Sequence, residues 1–151
     1  MDGELHLSDV ELPDHLPRLN RGAHREDSGG ACAMEAAAWL SGEPWSDHPT
    51  AVHRVIGNVA RTVNDRVGDE LRQTLWPLIV ASLDTARPRH PILSLRLSWC
   101  AGKALAAAAD HGDLPKAWMA VLEEHARLYG HRPSSIPTHR LRSLSAHQTE
   151  R

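Results

Sequence analysis

Six carboxylate or imidazole side chains, which are types that transfer protons and bind metal ions, lie between residues 35 and 65. Glu35 stands out because it is the only charged residue between Asp27 and Glu43. Its neighbours one helical turn away are alanine and tryptophan, so a helix here would place the carboxylate on an apolar face. Burial disfavours the charged form of a carboxylate unless it has a partner. Glu35 is therefore a candidate ligand or general base, or one half of a buried pair.

The segment GEPWSDHP, residues 42–49, adds further groups with chemical potential. Glu43, Asp47 and His48 are residue types that bind divalent cations, and Glu35 and His53 are close in sequence. No diagnostic spacing accompanies them, since neither H-E-x-x-H nor a C-x-x-C pair is present. A metal or proton-transfer site at this point is one hypothesis.

A structural interpretation of the same segment is also open. Gly42 would end one helix, Pro44 would stiffen the link, and Trp45 would pack beneath it. Ser46 or Asp47 would cap the next helix. In this interpretation the segment is a helix stop followed by a helix start.

The helix that follows offers Glu35 a structural partner. Arg54 and Arg61 lie on its polar face, so either arginine could pair with the buried carboxylate, as could the loop itself. Gly57 lies in the middle of this helix, where glycine costs about 1 kcal/mol relative to alanine. Close approach of a neighbouring helix would explain that glycine.

The elements that must position these groups are helices. Apolar periodicity and cap residues predict helices over residues 30–41, 49–67, 70–83, 92–110 and 113–129. Pro77 predicts a kink near Leu75 and Trp76. The predicted fold is all-α, a compact bundle of four or five helices.

Three regions are predicted. Residues 1–28 form an extended N-terminal arm that contains at most one short strand, and residues 29–130 form the helical domain. Residues 131–151 form a basic tail with two prolines, many serines and little apolar periodicity, so the tail is predicted to be disordered.

Composition restricts the classes of function. The 151 residues carry a formal net charge of −2, and 15 arginines against 2 lysines together with 20 alanines are typical of a high-GC genome rather than of nucleic-acid binding. No apolar run is long enough for a membrane span, no signal core begins the chain, and the two cysteines suit a reducing compartment. These features predict a cytoplasmic protein with no membrane partner, and no cofactor is indicated.

The run CAMEAAAWLSGEPWSDHP, followed by VIGNVARTVND, resembles a family of small helical proteins from high-GC actinobacteria and their phages. The residues that carry the resemblance are Cys32, Met34, Glu35, Ala38, Gly42, Glu43, Ser46, Asp47, Pro49, Arg61, Asn64 and Asp65. The resemblance covers roughly residues 10–87. It implies a phage- or mobile-element-related origin and indicates that a functional site would lie within the matching residues. It implies no particular reaction.

The resemblance and the polar spacing together define a candidate polar cluster at the corner of the first two helices. Its members are Glu35, Glu43, Ser46, Asp47, His48, His53, Arg61, Asn64 and Asp65. If the two helices pack antiparallel, Asn64 and Asp65 lie near the start of the first helix. The cluster would then either lock a helical hairpin or line a pocket.

The leading functional hypothesis is an interaction or regulatory module that binds another protein, because no catalytic spacing is present and both ends are charged. The alternative is a small metal-binding protein or enzyme with its site at the corner. A weaker alternative is nucleic-acid association through Arg132, Arg140 and Arg142 of the tail.

Overall fold

A computed structural model describes residue 12 and residues 16–26, 28–86 and 90–130. Residues 1–11 and 13–15 of the arm and the whole predicted tail, 131–151, lie outside the described residues. The predicted disorder of the tail and its nucleic-acid role therefore stay predictions.

The all-α prediction is confirmed. The helices are α1 (Ala33–Ser41), α2 (Arg54–Arg66), α3 (Asp69–Arg72), α4 (Trp76–Ser82), α5 (Pro91–Ala107) and α6 (Leu114–Tyr129). Single 3₁₀ turns, Gln73–Leu75 and His111–Asp113, precede α4 and α6. The break predicted near Leu75 is present, and Pro77 lies in the first turn of α4, where its missing N–H costs nothing.

The N-terminal arm supplies one strand of a small two-stranded sheet, which the sequence did not predict. β1 (Arg18–Leu19) pairs in parallel with β2 (Gly30–Ala31). Leu19 is fully buried, and its N–H and carbonyl bond to the side-chain amide of Gln73 at 2.9 and 2.7 Å. β1 is short, but one edge of its backbone pairs with β2 and the other bonds to the side chain of Gln73. This explains why two residues suffice for a strand.

Two helix starts differ from the prediction. α1 begins at Ala33 because Gly30 is in β2, and the cap is Cys32. α2 begins at Arg54, five residues later than predicted, and His53 caps it in place of Asp47 or His48. Local helix propensity does not predict either later start, because tertiary hydrogen bonds hold the residues before both helices in extended or turn conformations.

The predicted helix stops at Gly42 and Gly130 are confirmed, and both glycines adopt left-handed backbone conformations. Gly42 ends α1 with φ 76°, and Gly130 ends α6 with φ 68°. Both conformations favour glycine because a Cβ atom would be strained there. The sharp turn after α1 starts the loop that leads to α2.

α1 is largely buried within the bundle. It packs against α2 and α4, and seven of its nine residues are buried, most of them alanines. Small side chains let the surrounding helices approach α1 closely. α5 is peripheral by contrast: it packs mainly on α6 and buries only Leu97 and Ala101.

Candidate functional site

Glu35 is buried and bonds to the N-terminal arm and to the start of its own helix. Oε1 accepts a hydrogen bond from the backbone N–H of Cys32 at 2.8 Å, and Oε2 accepts one from the backbone N–H of His24 at 2.7 Å. The His24 ring nitrogen Nδ1 lies 3.2 Å from Oε1. The structural alternatives suggested by the sequence, a pair with Arg54 or Arg61 or a hydrogen bond to the loop, are therefore wrong for the described residues. A carboxylate at the third helical position instead satisfies N–H groups that the first turn leaves open.

Cys32 completes the capping box at the start of α1. Its sulfur accepts a hydrogen bond from the N–H of Glu35 at 3.4 Å. Burial, opposed in part by that backbone hydrogen bond, raises the pKa of the Cys32 thiol to about 12. The thiol is therefore protonated at neutral pH and is poorly suited to act as a nucleophile.

Asn64 and Asp65 lie where antiparallel packing of α1 and α2 places them. The fully buried Asn64 accepts a hydrogen bond from the N–H of Ala33 at 3.1 Å and donates one to the carbonyl of Asn20 at 2.9 Å. Asp65 accepts one from the N–H of Gly22 at 2.9 Å. The C-terminal half of α2 thus fastens both the start of α1 and the arm.

Glu43 organises the loop between α1 and α2. Its carboxylate accepts hydrogen bonds from the N–H groups of Thr50 and Ala51 at 2.6 and 3.1 Å and from the Ser41 hydroxyl at 2.8 Å. Partial burial by itself would raise the pKa of Glu43, but the hydrogen bonds from Thr50, Ser41 and Ala51 outweigh it and hold the pKa below its ordinary value. The ionised side chain of Glu43 thus has a structural role, which is to hold the loop between α1 and α2.

The remaining polar groups of the loop are hydrogen-bonded to one another, to α2 or to the arm. Arg61 donates to the carbonyl of Asp47 at 2.8 Å, and the Asp47 side chain lies 2.7 Å from Nδ1 of His48 on the surface. Ser46 accepts a hydrogen bond from the N–H of His48 at 3.0 Å. Trp45 donates to the carbonyl of the arm residue His24 at 2.7 Å. The loop is thereby fastened to α2 and to the arm.

The structure does not gather the candidate cluster into one metal site. Among the described residues, no group of three or more His, Cys, Asp or Glu side chains is placed to hold a metal ion. Glu35 is hydrogen-bonded to His24 of the arm, whereas His53 is hydrogen-bonded at the start of α2 and lies beside Tyr129 of α6. Close spacing in sequence did not bring these donors together.

His53 belongs to an aromatic cluster with α6. Its Nδ1 accepts a hydrogen bond from the N–H of Val55 at 3.1 Å, and Nε2 lies 3.4 Å from the hydroxyl of Tyr129. The rings of His125 and Tyr129 stack with centroids 4.5 Å apart, and His53 meets both edge-on. Burial and then the nearby Arg54 charge lower the pKa of His53. The neutral imidazole suits its role as a cap acceptor.

The feature that sequence reasoning missed is the outer face of α5. Ile92, Leu95 and Trp99 are 67, 72 and 69% exposed, and their i, i+3, i+7 spacing puts them on one side of the helix. We call these three residues the α5 face. A detectable signal was present, since the apolar residues of α5 are distributed around the helix and some of them must stay outside if only one side packs.

A cleft of about 450 Å³ adjoins the α5 face. Its walls include Val52, His53 and Arg54 at the start of α2 and Ser94 and Leu95 near the start of α5. None of its described lining residues is acidic. Leu95 belongs both to the α5 face and to the cleft, so the two features form one continuous surface.

The chain matches no protein-family model, no curated protein and no solved structure. The resemblance to actinobacterial and phage proteins therefore stays a prediction. Within residue 12 and the ranges 16–26, 28–86 and 90–130, no helix is long and apolar enough to cross a membrane.

Proposed function

We propose that this protein is an interaction module that binds another protein through the α5 face and the adjoining cleft. The observation that carries the proposal is the exposure of about 70% of each of three large apolar side chains along one side of a single helix. Burying one such side chain contributes about 1.5–3 kcal/mol, so covering all three would support specific association. Contiguous exposed apolar patches are typical of protein-interaction sites.

The peripheral position of α5 supports the same function. The opposite side of α5 carries the buried Leu97 and Ala101, and α5 packs mainly on α6, so the helix is anchored in the bundle while its outer side stays open. A rigid helix presents its side chains with little loss of conformational entropy on binding. The α5 face can thus bind a partner without rearrangement of the bundle.

The corner of α1 and α2 gives less support to the alternative function, a metal-binding protein or enzyme. Glu35 and Glu43 are committed to backbone N–H groups, and Arg61 is committed to a loop carbonyl. Each group therefore has a structural role that accounts for its presence. Nucleic-acid binding by the tail remains a separate prediction that salt-dependent binding would test.

Site-specific photo-crosslinking tests the proposal. A photoreactive residue replaces Leu95 in the full chain, and the matched control places it at Arg66, which is exposed at the far end of α2. In a lysate of cells that express the protein, we expect one discrete adduct from position 95 and none of that mass from position 66.

Competition for the partner tests whether the adduct depends on the α5 face. Unlabelled wild-type protein should suppress the adduct, whereas the variant Trp99→Asp should not. That variant should keep the wild-type free energy of unfolding to within about 0.5 kcal/mol, because exposed side chains contribute little to stability. Absence of an adduct, or equal competition by both proteins, would show that the α5 face is not the docking surface.

A further inference from the structure

We infer that the segment docking on the α5 face is an acidic amphipathic helix of another protein, lying along α5 with its carboxylates toward Arg96 and Lys103. The inference rests on the proposed function and specifies the chemistry of the partner. Three separate observations support it: the charge beside the face, the spacing along the helix, and a glycine that packing within the protein does not explain.

The charged residues of α5 itself have one sign, and Glu124 of α6, whose charge acts on Cys100 of α5, is paired with Arg127. α5 contains Arg96 and Lys103, both exposed, and no acidic residue. The two cations are seven residues apart, so they lie on the same flank of the helix, and Lys103 Nζ is 4.4 Å from the centre of the Trp99 ring. Arg54, exposed at the cleft, adds a third cation. A partner with carboxylates along one edge would complement this flank.

The spacing of the face fits a helix. Ile92, Leu95 and Trp99 begin an i, i+3, i+7 series that continues to exposed Gly102 and Ala106. This is the alternation of three and four residues through which two helices pack along a seam. A helix lying along it would cover the apolar side chains and stay within reach of both cations.

Gly102 supports close approach by such a helix. It lies inside a 17-residue helix, where glycine costs about 1 kcal/mol relative to alanine, and its backbone conformation does not require glycine. A Cβ atom built at Gly102 would have no neighbour within 4 Å, so nothing within the described part of the protein explains the glycine. By contrast, a Cβ atom at Gly57 would meet Arg61 and Met34. Because Gly102 has no side chain, the backbone of a second helix can lie close to α5 at this position.

The cleft suits an anchoring side chain of that helix. Val52 and Val55 supply apolar wall, Leu95 joins the cleft to the α5 face, and Ser94 and Ser98 supply hydroxyl groups. One apolar side chain of the partner can enter beside Leu95 while a neighbouring carboxylate faces Arg54. Fully desolvated anchors of this kind usually dominate the affinity of an interface.

A second copy of the chain fits this surface less well. Two α5 helices packed antiparallel about Trp99 would bring Arg96 of one copy opposite Lys103 of the other. Like charges facing each other across a helix pair are destabilising. An acidic helix replaces both repulsions with attractions.

Two synthetic helical peptides of about three heptads provide the probe, with identical leucine seams and with either glutamate or lysine at the flanking positions. Binding to the full-length protein is measured by fluorescence anisotropy. We expect the glutamate peptide to bind about tenfold more tightly, as several exposed ion pairs would produce, and the difference to shrink as salt is added. The double variant Arg96→Glu/Lys103→Glu should reverse the preference, whereas the control Arg66→Glu should keep it.

The outcomes separate this inference from the proposed function. If the crosslink at position 95 forms but neither peptide binds, or both bind equally, the interaction module stands and its acidic helical partner is wrong. If sedimentation shows a dimer that Trp99→Asp dissolves, the surface is covered by a second copy and the inference is overturned. If both the crosslink and the peptide binding are absent, both proposals fail.

Discussion

The carboxylate of Glu35 accepts a hydrogen bond from the backbone N–H of His24 at 2.7 Å while it also caps the first turn of α1. One buried side chain therefore performs two structural tasks, closing a helix and fastening the arm that precedes it. The indole of Trp45 donates to the carbonyl of the same arm residue at 2.7 Å. Both the N–H and the carbonyl of His24 are thus bonded to the corner of α1 and α2, which the sequence indicated as a candidate site.

Glu35→Gln should destabilise the protein by about 2–4 kcal/mol. The amide keeps the side-chain volume, but it removes the charge and turns one acceptor oxygen into a donor that faces a backbone N–H. Urea denaturation of both proteins measures the change. The exposed Glu70→Gln on α3 is the control and should stay within about 0.5 kcal/mol of the wild type. A Glu35→Gln variant that unfolds like the wild type would instead point to a role in function.

Asn64→Ala should cost about 2–3 kcal/mol. The substitution leaves the N–H of Ala33 and the carbonyl of Asn20 without their buried partner. Asn58→Ala is a matched control on the same helix, because Asn58 is exposed and bonds only to its own helix. We expect thermal unfolding to separate the two variants clearly. Equal melting temperatures would mean that the contacts of Asn64 contribute nothing net.

His53 should make the protein less stable as the pH falls below about 6.5. Burial, then Arg54, lower its folded pKa from 6.5, so on acidification the unfolded chain binds a proton that the folded protein excludes. This contribution is fully present above pH 6.5 and declines as the pH falls toward the folded pKa. Protonation also removes the lone pair that caps α2.

The variant His53→Asn isolates this effect, since asparagine is a good cap and does not titrate. Free energies of unfolding at about pH 7.5 and about pH 5.5 should fall more in the wild type than in the variant. The histidines that do not contact His53 contribute equally to both proteins. A pH dependence that His53→Asn leaves unchanged would contradict the assignment.

Gly102→Ala should stabilise the protein by about 0.5–1 kcal/mol, because alanine is the better helix former and its Cβ atom would meet nothing within 4 Å. Gly57→Ala is the comparison: there the Cβ atom would lie 3.2 Å from Arg61 Nη1 and 3.8 Å from Met34 Sδ, so the gain should be smaller or absent. Denaturant unfolding measures both. If Gly102→Ala is destabilising, Gly102 serves the fold, and its support for a docking helix is lost.

The candidate corner shows how far sequence reasoning reaches. Its location was predictable because a lone carboxylate on an apolar face must be compensated, and Asn64 could be placed from helix length and antiparallel packing. The partner of Glu35 could not be predicted, since His24 lies in an arm without periodicity. The second helix began late for a related reason: Glu43 holds the N–H groups of Thr50 and Ala51 in the loop, and no local propensity reports a contact between these segments.

Sequence by itself determined the helical class, the break before Pro77 and the stops at Gly42 and Gly130, because these features depend on local backbone chemistry. Only the tertiary structure decided which side of α5 is buried. The apolar residues of that helix are distributed around it, so its own sequence is consistent with several orientations, and the burial of Leu97 and Ala101 is what leaves Ile92, Leu95 and Trp99 outside. Exposure of a side chain is a property of the whole fold.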